Sequence, residues 1–149
     1  MRNPKNKGPL NTYEVKIRGY NQPLAVQGHS AGAAKYAAYQ RLDTCDSFFD
    51  FLSWVEAVRL LHRFRPSDLF GDPERFERMK ERRGIPFAYI GQRVILHSGT
   101  RGDIQGTICG ANHSDNLDIV FDGTSWTENC HPHYQLDYLD GTGNVIAMF

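Results

Sequence analysis

The sequence predicts a mixed α+β protein: an N-terminal ββαα(β) layer, a linker helix and a C-terminal five-stranded β-barrel. Three observations predict it. Residues 13–18, Tyr-Glu-Val-Lys-Ile-Arg, alternate apolar and charged with period two, as a half-buried strand does. The alanine-rich stretch Ala31–Leu42 sets Ala34, Ala38 and Leu42 at i, i+4 and i+8, the spacing of one helix face. From Tyr89 onward, glycines recur between five short apolar runs at roughly ten-residue spacing, the mark of a small all-β unit.

Residues 1–12, with Arg2, Lys5 and Lys7, read as a flexible basic arm, and residues 13–65 as a small α+β domain. Gly19-Tyr20-Asn21-Gln22 supplies turn chemistry, and Pro23–Gln27 returns as a second strand with Leu24 and Val26 inward. Ser30 is an N-cap for the helix 31–42, whose small alanines let it lie close against a sheet. Ser47-Phe48-Phe49-Asp50 opens a second helix as a capping box with Asp in place of Glu. Phe48, Leu52 and Val55 form its apolar stripe, with Phe51 beside them. Val58–Arg65 fits either a continuation of that helix or a third strand. The alternation of Val58, Leu60, His62 and Phe64 against Arg59, Arg63 and Arg65 favours the strand.

Residues 66–88 read as a linker. Asp72-Pro73-Glu74 sets an N-cap before a proline at the first helical position, and Gly84 ends a charged helix with few apolar residues (Phe76, Met79). Residues 89–149 form the predicted barrel, with strands at 93–97, 104–109, 117–121, 136–139 and 145–149. Asp122-Gly123 and Asp140-Gly141 supply hairpin turns.

Composition bounds the function. With 149 residues, 40% hydrophobic and 12% aromatic, the chain has ample material for a packed core. No apolar run approaches the roughly 20 residues that span a bilayer. The polar, basic start lacks the apolar stretch of a signal peptide. Three cysteines (Cys45, Cys109, Cys130) are too few for a disulfide framework and fit a reducing compartment, so a cytoplasmic protein is expected. The net charge of zero hides a gradient. Residues 1–65 hold ten Lys/Arg against five Asp/Glu, residues 66–84 five of each, and residues 85–149 two against seven. An anionic partner is drawn to the first part and repelled by the last.

Four chemistries compete for the candidate residues. Cys109, His113, Cys130, His131 and His133 are zinc-type ligands. Cys109 lies in an alternating run where it points inward as a small hydrophobe, and His131-Pro132 is explained as a turn, so no metal or other cofactor is expected. Cys130-His131 and His29-Ser30 set a nucleophile beside a base. Strand neighbours point to opposite faces, however, and no Gly-x-Ser-x-Gly, phosphate-cradling glycine loop or His-Glu-x-x-His accompanies them. The protein is therefore expected to be non-enzymatic. Lys16, Arg18, Lys35, Arg59, Arg63 and Arg65, with the basic arm, are placed to track nucleic-acid phosphates, and Tyr13, Tyr20, Tyr36 and Tyr39 to stack on bases. Tyr20, Trp126 and Tyr134 are the foremost candidate anchors for a protein partner, ahead of Trp54, Tyr89 and Tyr138. Trp126 stands out because Thr124-Ser125-Trp126-Thr127 is a polar turn, whereas Trp54 is expected to pack under the second helix. Protein binding is preferred by elimination, with nucleic-acid binding through the N-terminal half as the alternative. Cys45 has no assigned role.

Gly91-Gln-Arg-Val, Gly102-Asp-Ile-Gln-Gly-Thr-Ile, Leu117-Asp-Ile-Val-Phe-Asp-Gly and Cys130-His-Pro together resemble an SH3-like barrel of the KOW type over about 60 residues. Tyr13-Glu-Val-Lys-Ile-Arg-Gly-Tyr, the Ala33–Tyr39 helix, Gly110-Ala-Asn with Asn116-Leu-Asp, and Asn129-Cys-His-Pro are similar to uncharacterised accessory proteins of tailed phages and prophages. That resemblance implies a binding protein that modulates or inhibits a host or phage nucleoprotein complex, such as a defence system, in the host cytoplasm.

Overall fold

The computed structural model describes residues 8–44 and 46–149; Arg2, Lys5, Lys7 and Cys45 lie outside the described residues. Among the described residues, three α-helices and two antiparallel sheets divide between two compact units, one ending at Phe64 and one running from Arg65 to Phe149.

In the first unit, β1 (Asn11–Ile17) lies between β2 (Leu24–Gly28) and β3 (Val55–His62). The central strand starts at Asn11, inside the stretch expected to be a flexible arm. Asn11 is buried, pairs with Gly28 and accepts the Phe64 amide on its Oδ1 at 2.8 Å, so its polar side chain is what closes the sheet at this end. Period-two alternation places Val15 and Ile17 on the face covered by α1 (Ala31–Leu42). Ser30 caps α1 by accepting the Ala33 amide at 3.2 Å. Ala34 and Ala38, on the inner face of α1, are fully buried. The approach is tight enough to require Gly28: a Cβ there would sit 2.8 Å from the Ala34 nitrogen.

The second helix, α2 (Phe48–Leu52), is shorter than its stripe predicts. Ser47 accepts the Asp50 amide at 3.1 Å, but the chain leaves the helix at Ser53 and Val55 already belongs to β3, paired with Ile17. Backbone pairing to β1 wins over the helical spacing of Val55. Two register shifts, opposite Thr12/Tyr13 and Lys16/Ile17, interrupt the expected alternation along β3, leaving Leu60 and Leu61 exposed and Val58 half-buried. The three phenylalanines separate by role. Phe51 is fully buried, Phe48 packs edge-on against Tyr36 with centroids 5.1 Å apart, and Phe49 is 84% exposed.

The second unit begins with a 3-10 turn (Pro66–Leu69) and α3 (Pro73–Arg83). The sequence reads 66–88 as a linker, yet Phe76 and Met79 are buried with Ile85 and Ala88 in the core of this unit. Two apolar residues three positions apart are enough to seat one face of a short, otherwise charged helix. Arg83 fixes its end, donating to the carbonyls of Asp115 and Ser114 and to Asn116 Oδ1 at 2.7, 3.2 and 3.0 Å. Six strands follow: β4 (Arg93–Ser98), β5 (Gly102–Ala111), β6 (Leu117–Phe121), β7 (Glu128–Cys130), β8 (Leu136–Leu139) and β9 (Val145–Met148). One strand more than expected is present, because β7 is only three residues long and carries no apolar alternation to announce it.

The sheet order is β7-β6-β5-β4-β8-β9, with two edges rather than a closed barrel. Val94, Ile108, Leu117, Ile119, Phe121, Leu136 and Tyr138 fill the core. Gly106 permits close packing here, since a Cβ would meet Ile119 Cγ2 at 2.7 Å. Gln92, fully buried, holds the segment before β4 to β8 by donating to the Leu139 carbonyl at 3.0 Å and accepting the Tyr89 amide at 3.2 Å.

Candidate functional site

The zinc-type residues are not brought together. Cys109 sits at the register shift of β5, fully buried, with its Sγ 3.6 Å from the carbonyls of Pro66 and Thr107. Cys130 pairs across from Leu117, and His113 lies beside α3. His133 stacks on Phe149 with centroids 4.6 Å apart. Among the described residues, no three His, Cys, Asp or Glu side chains are grouped to hold a metal ion.

Neither nucleophile–base pairing forms. Burial, together with the Glu128 charge, pushes the Cys130 thiol up to about 11, away from thiolate. Both ring nitrogens of His131 face N–H donors, Arg83 at 3.2 Å and the His133 amide at 3.0 Å. Desolvation and the Arg83 charge lower its pKa. The Ser30 hydroxyl caps α1, while His29 Nδ1 contacts the Gly8 carbonyl at 2.5 Å.

The predicted phosphate-tracking residues are partly neutralised within their own unit. Lys16 pairs with Glu56 at 3.5 Å and Arg59 with Glu14 at 3.0 Å, on the sheet face opposite α1. Arg18 reaches the Ser53 carbonyl at 3.5 Å. Lys35 stands on α1, in the other layer. Arg63 is exposed, and Arg65 donates its amide to Asp68 at 3.0 Å as the second unit begins. Within the first unit, Lys35 on α1 and the pair Lys16 and Arg59 on the opposite sheet face stand in different layers.

The three foremost aromatic anchors are all exposed: Tyr20 at 49%, Trp126 at 53% and Tyr134 at 63%. They stand on different elements. Tyr20 is in the β1–β2 turn of the first unit, and Trp126 precedes β7. Tyr134 is in the β7–β8 loop, directly after the histidine stacked on Phe149. Trp54 is half-buried against the first core, and Tyr138 is fully buried with its hydroxyl donated to the Pro132 carbonyl at 2.7 Å.

The edges of the sheets supply a site that the aromatic residues alone did not reveal. The β2 edge receives Arg41 of α1 on its Ala25 carbonyl at 2.8 Å. The β3 edge is interrupted by two register shifts and carries the Arg59 and Glu56 ion pairs. The β7 edge is three residues long, with Glu128 paired to Arg101 at 3.2 Å. Each is a recognised way of blocking edge-to-edge pairing. In contrast, β9 has β8 on one side and no strand on the other among the described residues. Its stretch Val-Ile-Ala-Met and the following Phe149 hold no charged side chain, and Val145, Ile146, Met148 and Phe149 are 47%, 49%, 72% and 47% exposed.

The base of this edge is firmly built. Asp140 Oδ1 accepts the Thr142 hydroxyl and amide and the Asn144 amide, which shapes the β8–β9 turn and lowers the Asp140 pKa. His97 of β4 places Nδ1 2.8 Å from Asp103 of β5 and Nε2 2.9 Å from the buried Asp137 of β8. With a carboxylate at each ring nitrogen the imidazolium is favoured, and the His97 pKa is raised.

Sequence reasoning predicted strand 145–149 as the last of five barrel strands, with no open edge. The available signal was five apolar residues in succession without the polar alternation of a half-solvated strand. Among the described residues, no helix is long and apolar enough to cross a membrane. No family model, curated protein or solved structure matches this chain.

Proposed function

We propose that this is a non-enzymatic binding protein that docks a partner protein by accepting an extended segment of it as an added strand along β9. The observation that carries the reading is the uncharged, exposed β9 edge in a molecule whose other three sheet edges are shielded. An incoming strand would satisfy the open backbone groups, and Ile146, Met148 and Phe149 would supply the apolar contacts that select it. Tyr134 is the best placed of the expected anchors, through its neighbour His133. With the phage-type resemblance, the partner is a component of a host or phage nucleoprotein complex in the cytoplasm, modulated or inhibited by this contact. An SH3-like plan for the second unit belongs to the same proposal. Its support is the order β7-β6-β5-β4-β8, a four-strand meander whose next strand returns to pair with the first.

Affinity capture from nuclease-treated host lysate tests it, with wild-type protein beside the double variant Ile146→Lys/Met148→Lys. The expected result is a discrete protein set that survives nuclease and high salt with wild type and is lost with the variant. Retention of the same set by the variant, or recovery of nucleic acid alone, would overturn the reading.

A further inference from the structure

The helix α3 carries eight charged residues of both signs whose arrangement the net charge conceals. At 100° per residue, Arg75, Arg78 and Arg82 fall within about 60° of helical arc, and Glu74, Glu77 and Glu81 within a separate arc of about 60°. The arginine arc borders the buried arc of Phe76 and Met79 and faces the β5–β6 loop. There Arg75, Arg78 and Arg82 line a concavity of about 250 Å³ together with Asn112, His113 and Asp115.

The fold accounts for only part of this set. Arg82 is engaged, 2.9 Å from Asp115, and as a cation in the last turn it suits the helix dipole. Arg75 stands in the first turn, where the dipole favours acids, and neither Arg75 nor Arg78 has a hydrogen-bond or ion-pair partner among the described residues. The lining thus holds three guanidiniums against one carboxylate, and that carboxylate is already paired. The Asn112 amide is committed to the loop, donating to Asp118 and Asn129 at 3.1 Å each and accepting the Ser114 amide at 3.0 Å, which leaves Arg75, Arg78 and His113 as the groups open to a ligand, with Arg82 held beside them by Asp115.

Arginine forks suit phosphate oxygens. Spread over about 10 Å of helix axis, these three address successive phosphates better than one isolated anion. We propose that the Arg75–Arg78–Arg82 face of α3, with His113, is a binding site for a run of two or three phosphates. The chemistry is shared by a nucleic-acid backbone and a free polyphosphate chain. This site is independent of β9 and differs from the N-terminal residues expected to meet phosphate.

The test uses the full chain with two probes: a fluorescein-labelled single-stranded DNA oligonucleotide followed by anisotropy, and sodium tripolyphosphate followed by calorimetry. Arg75→Gln/Arg78→Gln is the test variant and Lys35→Gln/Arg63→Gln the control, with circular dichroism to verify each fold. Binding at low salt is expected for wild type and the control. The test variant should lose roughly tenfold or more in affinity, and the oligonucleotide salt slope should fall by about two. Binding and loss with the oligonucleotide alone, or with the oligonucleotide at least about tenfold more tightly than tripolyphosphate at the same salt, identifies a nucleic-acid backbone as the source, and the reverse order identifies a free polyphosphate. Failure of both probes to bind at low salt, an unaltered test variant, or loss in the control variant instead would overturn the proposal.

Discussion

β3 and β9 are both edge strands that expose large aliphatic side chains, and they are built in opposite ways. Along β3, two register shifts break the straight run of backbone, and Glu14–Arg59 and Lys16–Glu56 set charge beside Leu60 and Leu61. Along β9 and the adjoining Phe149, four exposed apolar residues stand on an edge with no charged side chain of its own. An apolar side chain on an edge is therefore not by itself a docking signal. What distinguishes β9 is the lack of the devices that keep an edge from pairing.

Phe76→Ala removes a buried ring from the core under the six-stranded sheet and should cost the second unit roughly 3–5 kcal/mol. Hydrogen exchange should show protection lost across β4–β9 and kept in β1–β3, because each unit has its own core. Next comes the edge itself. Ile146→Lys/Met148→Lys should weaken partner binding by roughly 30-fold or more, the scale of an interface hot spot, while stability measured by denaturant melts stays within about 0.5 kcal/mol. Leu60→Lys/Leu61→Lys, the matching change on β3, should leave binding within about twofold.

A smaller effect is a pH window on the β8–β9 hairpin. The raised His97 pKa means its clamp contributes fully below the ordinary histidine value and is lost as pH rises through the raised one. The lowered Asp140 pKa means the turn contributes above the ordinary carboxylate value and is lost as pH falls through the lowered one. The protection factors of the β9 amides, corrected for intrinsic exchange, should therefore fall at both ends, and His97→Gln should remove the alkaline limb alone. The smallest change is Arg59→Ala on β3, below about 1 kcal/mol in a melt, since the pair is exposed.

How far the sequence disclosed this follows from the reach of each signal. Period-two alternation at Tyr13–Ile17 and the caps at Ser30 and Asp72 are local, and they identify β1, α1 and α3 within a few residues. The burial of Phe76 and Met79 depends on strands 20 to 60 residues away, so a helix with so few apolar residues reads as a linker until those strands are in place. The end of α2 before Val55 and the shifts in β3 are set by pairing with β1, which outweighs local spacing. The exposure of β9 follows from its place last in the strand order, a tertiary fact that its apolar composition conceals. The arginine arc of α3 was legible, since helical spacing alone sorts Arg75, Arg78 and Arg82 from the glutamates; a sum of charges over residues 66–84 hides it.

Docking at β9 is tested by hydrogen–deuterium exchange on the complex captured by the wild-type chain, compared with the free protein. Slowed exchange concentrated over Val145–Met148, with β3 unchanged, is the predicted result. Unchanged exchange at β9, with protection appearing instead over β3 or around Trp126, would contradict it.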